Sequence, residues 1–350
     1  MWGVLMLRPQ RNFQILAIAA SAALLLTACG GGDNAANPST SPSTQQQPPE
    51  VGAPGMTGDI ATDGFNWFNF RRQQLALPAL PRNGLIDAAA RGHSNYQVLN
   101  NTITHDQTTG NPGFTGKDIR ERLAAAGYML SPTSFAFGEV ISKTSGLTGF
   151  DNADELIRAI YHRFVIFEPM FKEGGAGAAT ASNGATYFTT DFVANNGFGP
   201  GIGAGQIVGY PFDQQQRIAT SFDHGTETPD PVPPSLYPQY QGMSVGYPVS
   251  VHANLTQRID VASQNFTIMP IGSTTPLPAL LLSYATDPGS ASEPHPTPIS
   301  AAAIIPLTPL AANTRYQVRF SGTICSADID TNLCSSAPVA LTRSWTFTTR

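Results

Sequence analysis

Charge is scarce in this chain: Asp, Glu, Lys and Arg together make up 12% of its 350 residues, and the formal net charge is −5. The basic residues are dispersed, with no cluster beyond Arg71-Arg72. The cationic stripe that holds a phosphate backbone is therefore missing, and no nucleic-acid partner is expected. Cysteine is scarcer still, at three residues. Cys325 and Cys334 have no His or third Cys beside them, which leaves a zinc site short of ligands. Long apolar runs are also lacking. The longest, Phe13 to Ala28, is broken by Gln14, Ser21 and Thr27 and falls short of the about 20 apolar residues a membrane-spanning helix needs.

That run stands at the N-terminus, behind Arg8 and Arg11, and ends in Leu26-Thr27-Ala28-Cys29. It reads as a secretory signal peptide over 1–28. The competing reading is plain cleavage at an A-x-A-like site, with Cys29 an ordinary residue. Leu-x-Ala-Cys followed by Gly30-Gly31-Gly32 resembles the bacterial lipobox, which implies lipidation of Cys29 and a membrane anchor. Residues 29–60 are mostly Gly, Asn, Ser, Thr, Gln and Pro; such a segment buries too little apolar surface to fold and reads as a tether. In a cell with two membranes, Gly30 in place of an inner-membrane-retaining Asp points to the outer one, facing the periplasm or the cell surface. Export to an oxidising compartment leaves Cys325 and Cys334 to form a disulfide.

The rest divides by texture. Over 61–200, helical periodicity alternates with strands. Helices are expected at Phe65 to Leu77, at Leu85 to Leu99 with Leu85, Ala88, Ala89, Gly92, Tyr96 and Leu99 inward, at Ile119 to Ala126, and from about Asn152 with Asp151 as cap. Phe135 to Ile141 reads as a strand, and Asn183-Gly184 as the turn of a hairpin. Over 201–350, short apolar runs recur between Pro-, Gly- and Ser-rich stretches: Tyr247 to Val251, Asn265 to Ile271, Ala279 to Tyr284, Thr314 to Ile324 and Arg343 to Thr349. They argue for a β-sandwich behind a connector, Pro229 to Pro238. The expected fold class is α/β followed by all-β.

Chemistry concentrates in the first half. Glu139 interrupts the apolar strand, where a carboxylate is costly unless paired or ligating. His105 follows the second helix and His162 lies near the end of the fourth. Together they suit a divalent metal such as zinc, or proton transfer. The ordinary alternatives are a turn histidine, a helix-terminal histidine and an Arg-paired glutamate. His93 is expected to face solvent or pack on its helix, outside the site.

In order along the chain, Asn69, Arg72 and Leu77-Pro78-Ala79-Leu80, then Ala89 and His93-Ser94, His105, Gly127-Tyr128, Gly138-Glu139, Tyr161-His162-Arg163, Gly175-Ala176-Gly177 and Tyr187-Phe188-Thr189-Thr190 resemble the CAP superfamily of cysteine-rich secretory, antigen 5 and pathogenesis-related proteins, in its bacterial branch. The resemblance implies a three-layer α-β-α sandwich with a cleft, binding of lipids, sterols or metal ions, and pocket residues at His105 and Glu139. His162 matches the bacterial pattern. The family's strand histidine falls at Tyr187 and its helix glutamate near Ala159, and Val140 replaces the usual asparagine, so the implied site is His105, Glu139 and His162, with Tyr187 beside them. Pro309 to Tyr316 and Ser344 to Thr349 resemble the last strands of bacterial Ig-like modules.

Gly242-Met243-Ser244-Val245-Gly246 matches the G-x-S-x-G hydrolase pattern in letters only. A proline-rich connector precedes it and a strand-like run follows, where a nucleophile elbow needs a strand and then a helix. Three functions follow: a binding protein with an apolar cleft for a lipid, sterol or metal ion; a metal-assisted hydrolase or peptidase; or a surface protein with an inert pocket.

Overall fold

The computed structural model describes residues 2–7, 50–289 and 295–350; Cys29 and all but the end of the tether lie outside them. Strand β1 (Trp2–Leu7) comes first, from within the stretch read as a signal. Side chains that accept backbone N–H groups then open the helices. Asp59 caps α1 (Ile60–Gln74), Asn83 caps α2 (Gly84–Asn100) and Asp118 caps α3 (Ile119–Ala125). Thr148, with Asp151 answering three residues on, forms a capping box for α4 (Gly149–Arg158). The cap is therefore Thr148, with Asp151 inside the first turn.

The fourth helix does not run through His162. Ala159 is extended, at φ −67° and ψ 120°, and α5 (Ile160–Ile166) starts afresh. The N–H groups freed by the break are met from far along the chain: the Glu227 carboxylate accepts from the backbone of Ile160, Tyr161 and His162 at 3.0, 2.7 and 3.2 Å. His162 thus sits in the first turn of a short helix, where an anionic partner is favoured.

Strands β2 (Phe135–Ser145), β3 (Glu173–Thr180) and β4 (Ala185–Asn195) form an antiparallel sheet with β4 central; β1 lies on the far edge of β2. Helices cover both faces. On one, Phe68 of α1 stacks on Phe188 and meets Phe192, with ring centroids 6.0 and 5.8 Å apart. On the other, α2 lies directly on β3, because Gly175 and Gly177 leave room for its backbone. A Cβ at Gly177 would stand 2.1 Å from the Arg91 nitrogen, and one at Gly175 2.4 Å from that of Asp87. That contact sets the buried face of α2. Ile86, Ala89, Ala90, His93, Ser94, Tyr96 and Gln97 are inward, while Leu85 and Leu99 are 45% and 59% exposed, so the face is turned from the expected one.

Among the described residues after 200, strands joined by loops carry the second half and the helical segments are short 3-10 turns. It comprises β5 (Val208–Tyr210), β6 (Gln215–Ile218), β7 (Ser221–Phe222), β8 (Glu227–Thr228), β9 (Val245–Gly246), β10 (Val249–His252), β11 (Gln257–Asp260), β12 (Phe266–Pro270), β13 (Ala279–Leu282), β14 (Ala301–Pro306), β15 (Arg315–Ser326) and β16 (Val339–Thr349). Two sheets dominate, in the orders β13-β14-β10-β5 and β11-β15-β16-β6, with β12 also on β15. Val251 and Ile304 of the first share a core with Ile268, Val318 and Trp345 of the second. Cys325 and Cys334 are joined in a disulfide. No helix follows Ser244, which is exposed and leads into β9.

The core does not stop at residue 200. Phe167 and Phe192 belong to the same apolar cluster as Tyr210, Val249 and Trp345. Arg163 bolts the halves together: fully buried, it donates to the carbonyls of Ile157 at 2.6 Å and Pro248 at 2.7 Å, and its guanidinium lies 5.0 Å from each of the Tyr210 and Tyr247 rings. Two aromatic faces and matched carbonyls offset the cost of burying that charge.

Candidate functional site

The site lies on the α2 face of the first sheet. A side chain alternates faces along a strand, so Glu139, Tyr187, Thr189 and Asp191 share that face with the helix. Ser94 and Gln97 of α2 donate to the Thr189 hydroxyl at 3.0 and 3.3 Å, holding the helix in register over β4.

His105 and Glu139 meet: Nδ1 of the imidazole is 2.7 Å from Oε1 of the carboxylate. Arg122 of α3, buried like Glu139, donates from one nitrogen to Oε2 at 2.6 Å and from the other to the His105 carbonyl at 2.6 Å. One guanidinium thus fixes both partners of the pair. Burial opposes ionisation of Glu139, but the Arg122 guanidinium above all, with the hydrogen bond to His105, outweighs it and holds the carboxyl well below the usual carboxylate range. The His105 Nε2 is shut off from solvent and meets no hydrogen-bond partner.

Directly across the ladder from Glu139 stands Asp191, also fully buried, and neither of its oxygens is met by a conventional donor. Burial and the neighbouring Glu139 charge push its carboxyl well above the usual range. Two carboxyls facing one guanidinium cannot both ionise; Glu139, which holds the hydrogen bonds from Arg122 and His105, is the one that ionises, and Asp191 is the one that favours its proton.

Of the two expected placements, His93 takes the second: it is buried and packs on its own helix, its ring 6.2 Å from that of Tyr96. Its Nε2 lies 2.7 Å from the Thr104 carbonyl and its Nδ1 accepts from the Gln107 amide at 3.0 Å. These partners assign the neutral tautomer with the proton on Nε2, and burial lowers its pKa to about 4. It braces the His105 loop through Thr104.

His162 is engaged elsewhere, its Nδ1 2.9 Å from Glu227 Oε1. The Tyr187 hydroxyl donates to Asn101 at 3.2 Å, with the Lys143 ammonium 5.0 Å from its ring. The residues therefore do not fit a metal. Both Glu139 oxygens are engaged, and among the described residues no group of three or more His, Cys, Asp or Glu is placed to hold an ion. A surface cleft lined by Asp260, Asn265, Ser283 and Thr323 belongs to the second half and shares no residue with this cluster.

Sequence reasoning missed Arg122 and Asp191. Asp191 carries the signal that exposed Glu139, an acid inside an apolar strand; Arg122, on a short amphipathic helix, carries none.

Comparison with known proteins yields little sequence-level likeness. No family model matches the chain, and no curated protein matches it. Among solved structures it is similar to an extracellular protein containing an SCP domain from Bacillus anthracis, at 20% identity and a TM-score of 0.32, over 39% of this chain and 40% of that one. It is also similar to an outer surface protein from Borrelia burgdorferi, at 14% identity and a TM-score of 0.31, over 38% of this chain and 90% of that one.

Proposed function

We propose that residues 61–200 are a CAP domain and residues 201–350 an Ig-like module, together forming a binding protein held at the cell envelope by lipid on Cys29. The ordered motifs and the helices on both faces of the antiparallel sheet support the first assignment. The second is supported by Tyr316, whose hydroxyl accepts from the backbone of Ala311 at 2.8 Å, a tie of the tyrosine-corner kind.

The observation that carries the function is His105. Its Nδ1 is oriented by Glu139 and Arg122, while its buried Nε2 lacks the partner such an atom ordinarily has. With Nδ1–H donating to the carboxylate, Nε2 is an acceptor, suited to a hydroxyl or N–H of a small, largely apolar ligand such as a lipid or sterol. Binding is favoured over metal-assisted hydrolysis because the carboxylate that would serve a metal is already engaged.

The test is native mass spectrometry of small molecules that copurify with the full chain, alongside thermal unfolding with and without zinc, for wild type and His105→Ala. A species bound to wild type and lost from the variant is expected, with no rise in Tm from zinc. Zinc stabilising wild type but not the variant would replace this reading with a metal site, since a ligand held only by the native state raises apparent stability.

A further inference from the structure

Strand β1 occupies a slot between two edges. It runs antiparallel to β2, with Gly3 opposite Ile141 and Leu7 opposite Phe137, and parallel to β8, with Trp2 opposite Glu227 and Gly3 opposite Thr228. The two edges are therefore held about 9–10 Å apart, twice the spacing of paired strands. Yet residues 2–7 lie inside the stretch that cleavage before Cys29 removes. On the lipoprotein reading of that cysteine, on which this inference rests, the finished protein keeps both edges and loses the strand between them.

The slot cannot simply close. Glu227 of β8 is pinned by the N-terminus of α5, accepting three backbone N–H groups and contacting Nδ1 of His162. Moving β8 against β2 would tear this carboxylate from a helix end that has no cap of its own. Left open, the slot exposes unpaired N–H and C=O groups along a segment of β2 otherwise buried in the fold, which is costly. An edge in this condition accepts a strand.

We infer that the gap between β2 and β8 is a strand-acceptor site that, once residues 1–28 are removed, takes an extended apolar segment of a partner polypeptide running antiparallel to β2. The chain's own Trp-Gly-Val-Leu-Met-Leu at 2–7 shows the kind of segment that fills it. The tether does not qualify as an internal substitute, because its Gly, Asn, Ser and Pro residues are poor strand formers.

The experiment uses the exported protein as the cell processes it, with a synthetic peptide of residues 1–9 as probe. Hydrogen exchange is followed between Phe137 and Ile141 at the alternate β2 amides that face the slot, the others being paired with β4. Expected is an intact mass lacking residues 1–28, fast exchange of these amides in the free protein, and slowing by about tenfold or more when the peptide is added. A mass that still includes residues 1–28 would overturn the processing on which the inference depends. Amides already protected in the processed protein without peptide, or unchanged exchange at saturating peptide, would overturn the acceptor site itself.

Discussion

Replacing Arg122 with Met removes the one guanidinium that faces Glu139. The carboxylate is fully buried and its Oε2 loses a 2.6 Å partner, while the His105 carbonyl, met at 2.6 Å by the same side chain, loses its donor. Breaking a buried pair from one side typically costs about 3–5 kcal/mol, because the remaining charge has no compensation. Removing both ends, as Arg122→Met with Glu139→Leu, should recover most of that loss, since an apolar pair of similar volume carries no desolvation penalty. The assay is denaturant unfolding of wild type, both single variants and the double, with the midpoint shifting at constant slope. Acidity supplies an internal control. A carboxyl held below its unfolded value contributes stability that is present above that value, about 4.3 for Glu, and lost as pH falls through the folded value. In wild type this stability therefore declines gradually below about 4.3 and is exhausted only in strong acid. In Arg122→Met, burial acts on Glu139 without its counterion, the carboxyl is pushed up instead, and the deficit against wild type is greatest at neutral pH and shrinks on acidification. A single variant that costs under about 1 kcal/mol, or a double variant as unstable as the single, would refute the claim that the pair is a buried, mutually dependent unit.

Asp191→Asn should stabilise the protein at neutral pH. A carboxyl held above its unfolded value keeps a proton that the unfolded chain releases, so it costs stability as pH rises above about 4. The gain over wild type should vanish below that pH, and a variant less stable than wild type at pH 7 would contradict the neutral-acid assignment. His252 works in the opposite sense: buried between Phe164 and Phe167, with Nε2 2.9 Å from the Ser250 hydroxyl, it has a pKa lowered to about 3. The unfolded chain gains a proton from about pH 6.5 downward that the folded chain refuses. Stability should accordingly fall between about 6.5 and about 3, and His252→Gln, read by unfolding free energy against pH, should flatten part of that slope.

How much of this was legible beforehand depends on the range of the interaction. The helices over 60–74, 84–100 and 119–125 and the strand from Phe135 were readable because periodicity and capping act within a few residues. Strand β14 was not: Ala301-Ala302-Ala303 is poor strand former by propensity, and only its central position between β13 and β10 makes it one. The break at Ala159 was hidden for the same reason, since no Pro or Gly marks it and the cap that permits it, Glu227, is supplied from 65 residues beyond His162.

The sequence by itself determined the division into a mixed half and an all-strand half, the glycines that let α2 lie on β3, and Glu139 as an acid out of place in an apolar strand. Only the tertiary structure decided who answers that acid. The register of β2 on β4 sets Asp191 opposite it, the packing of α3 brings Arg122, and α5 carries His162 away to Glu227. A buried charge announces in sequence that it needs a partner, but Coulomb's law is indifferent to chain order, so which partner arrives is a property of the fold.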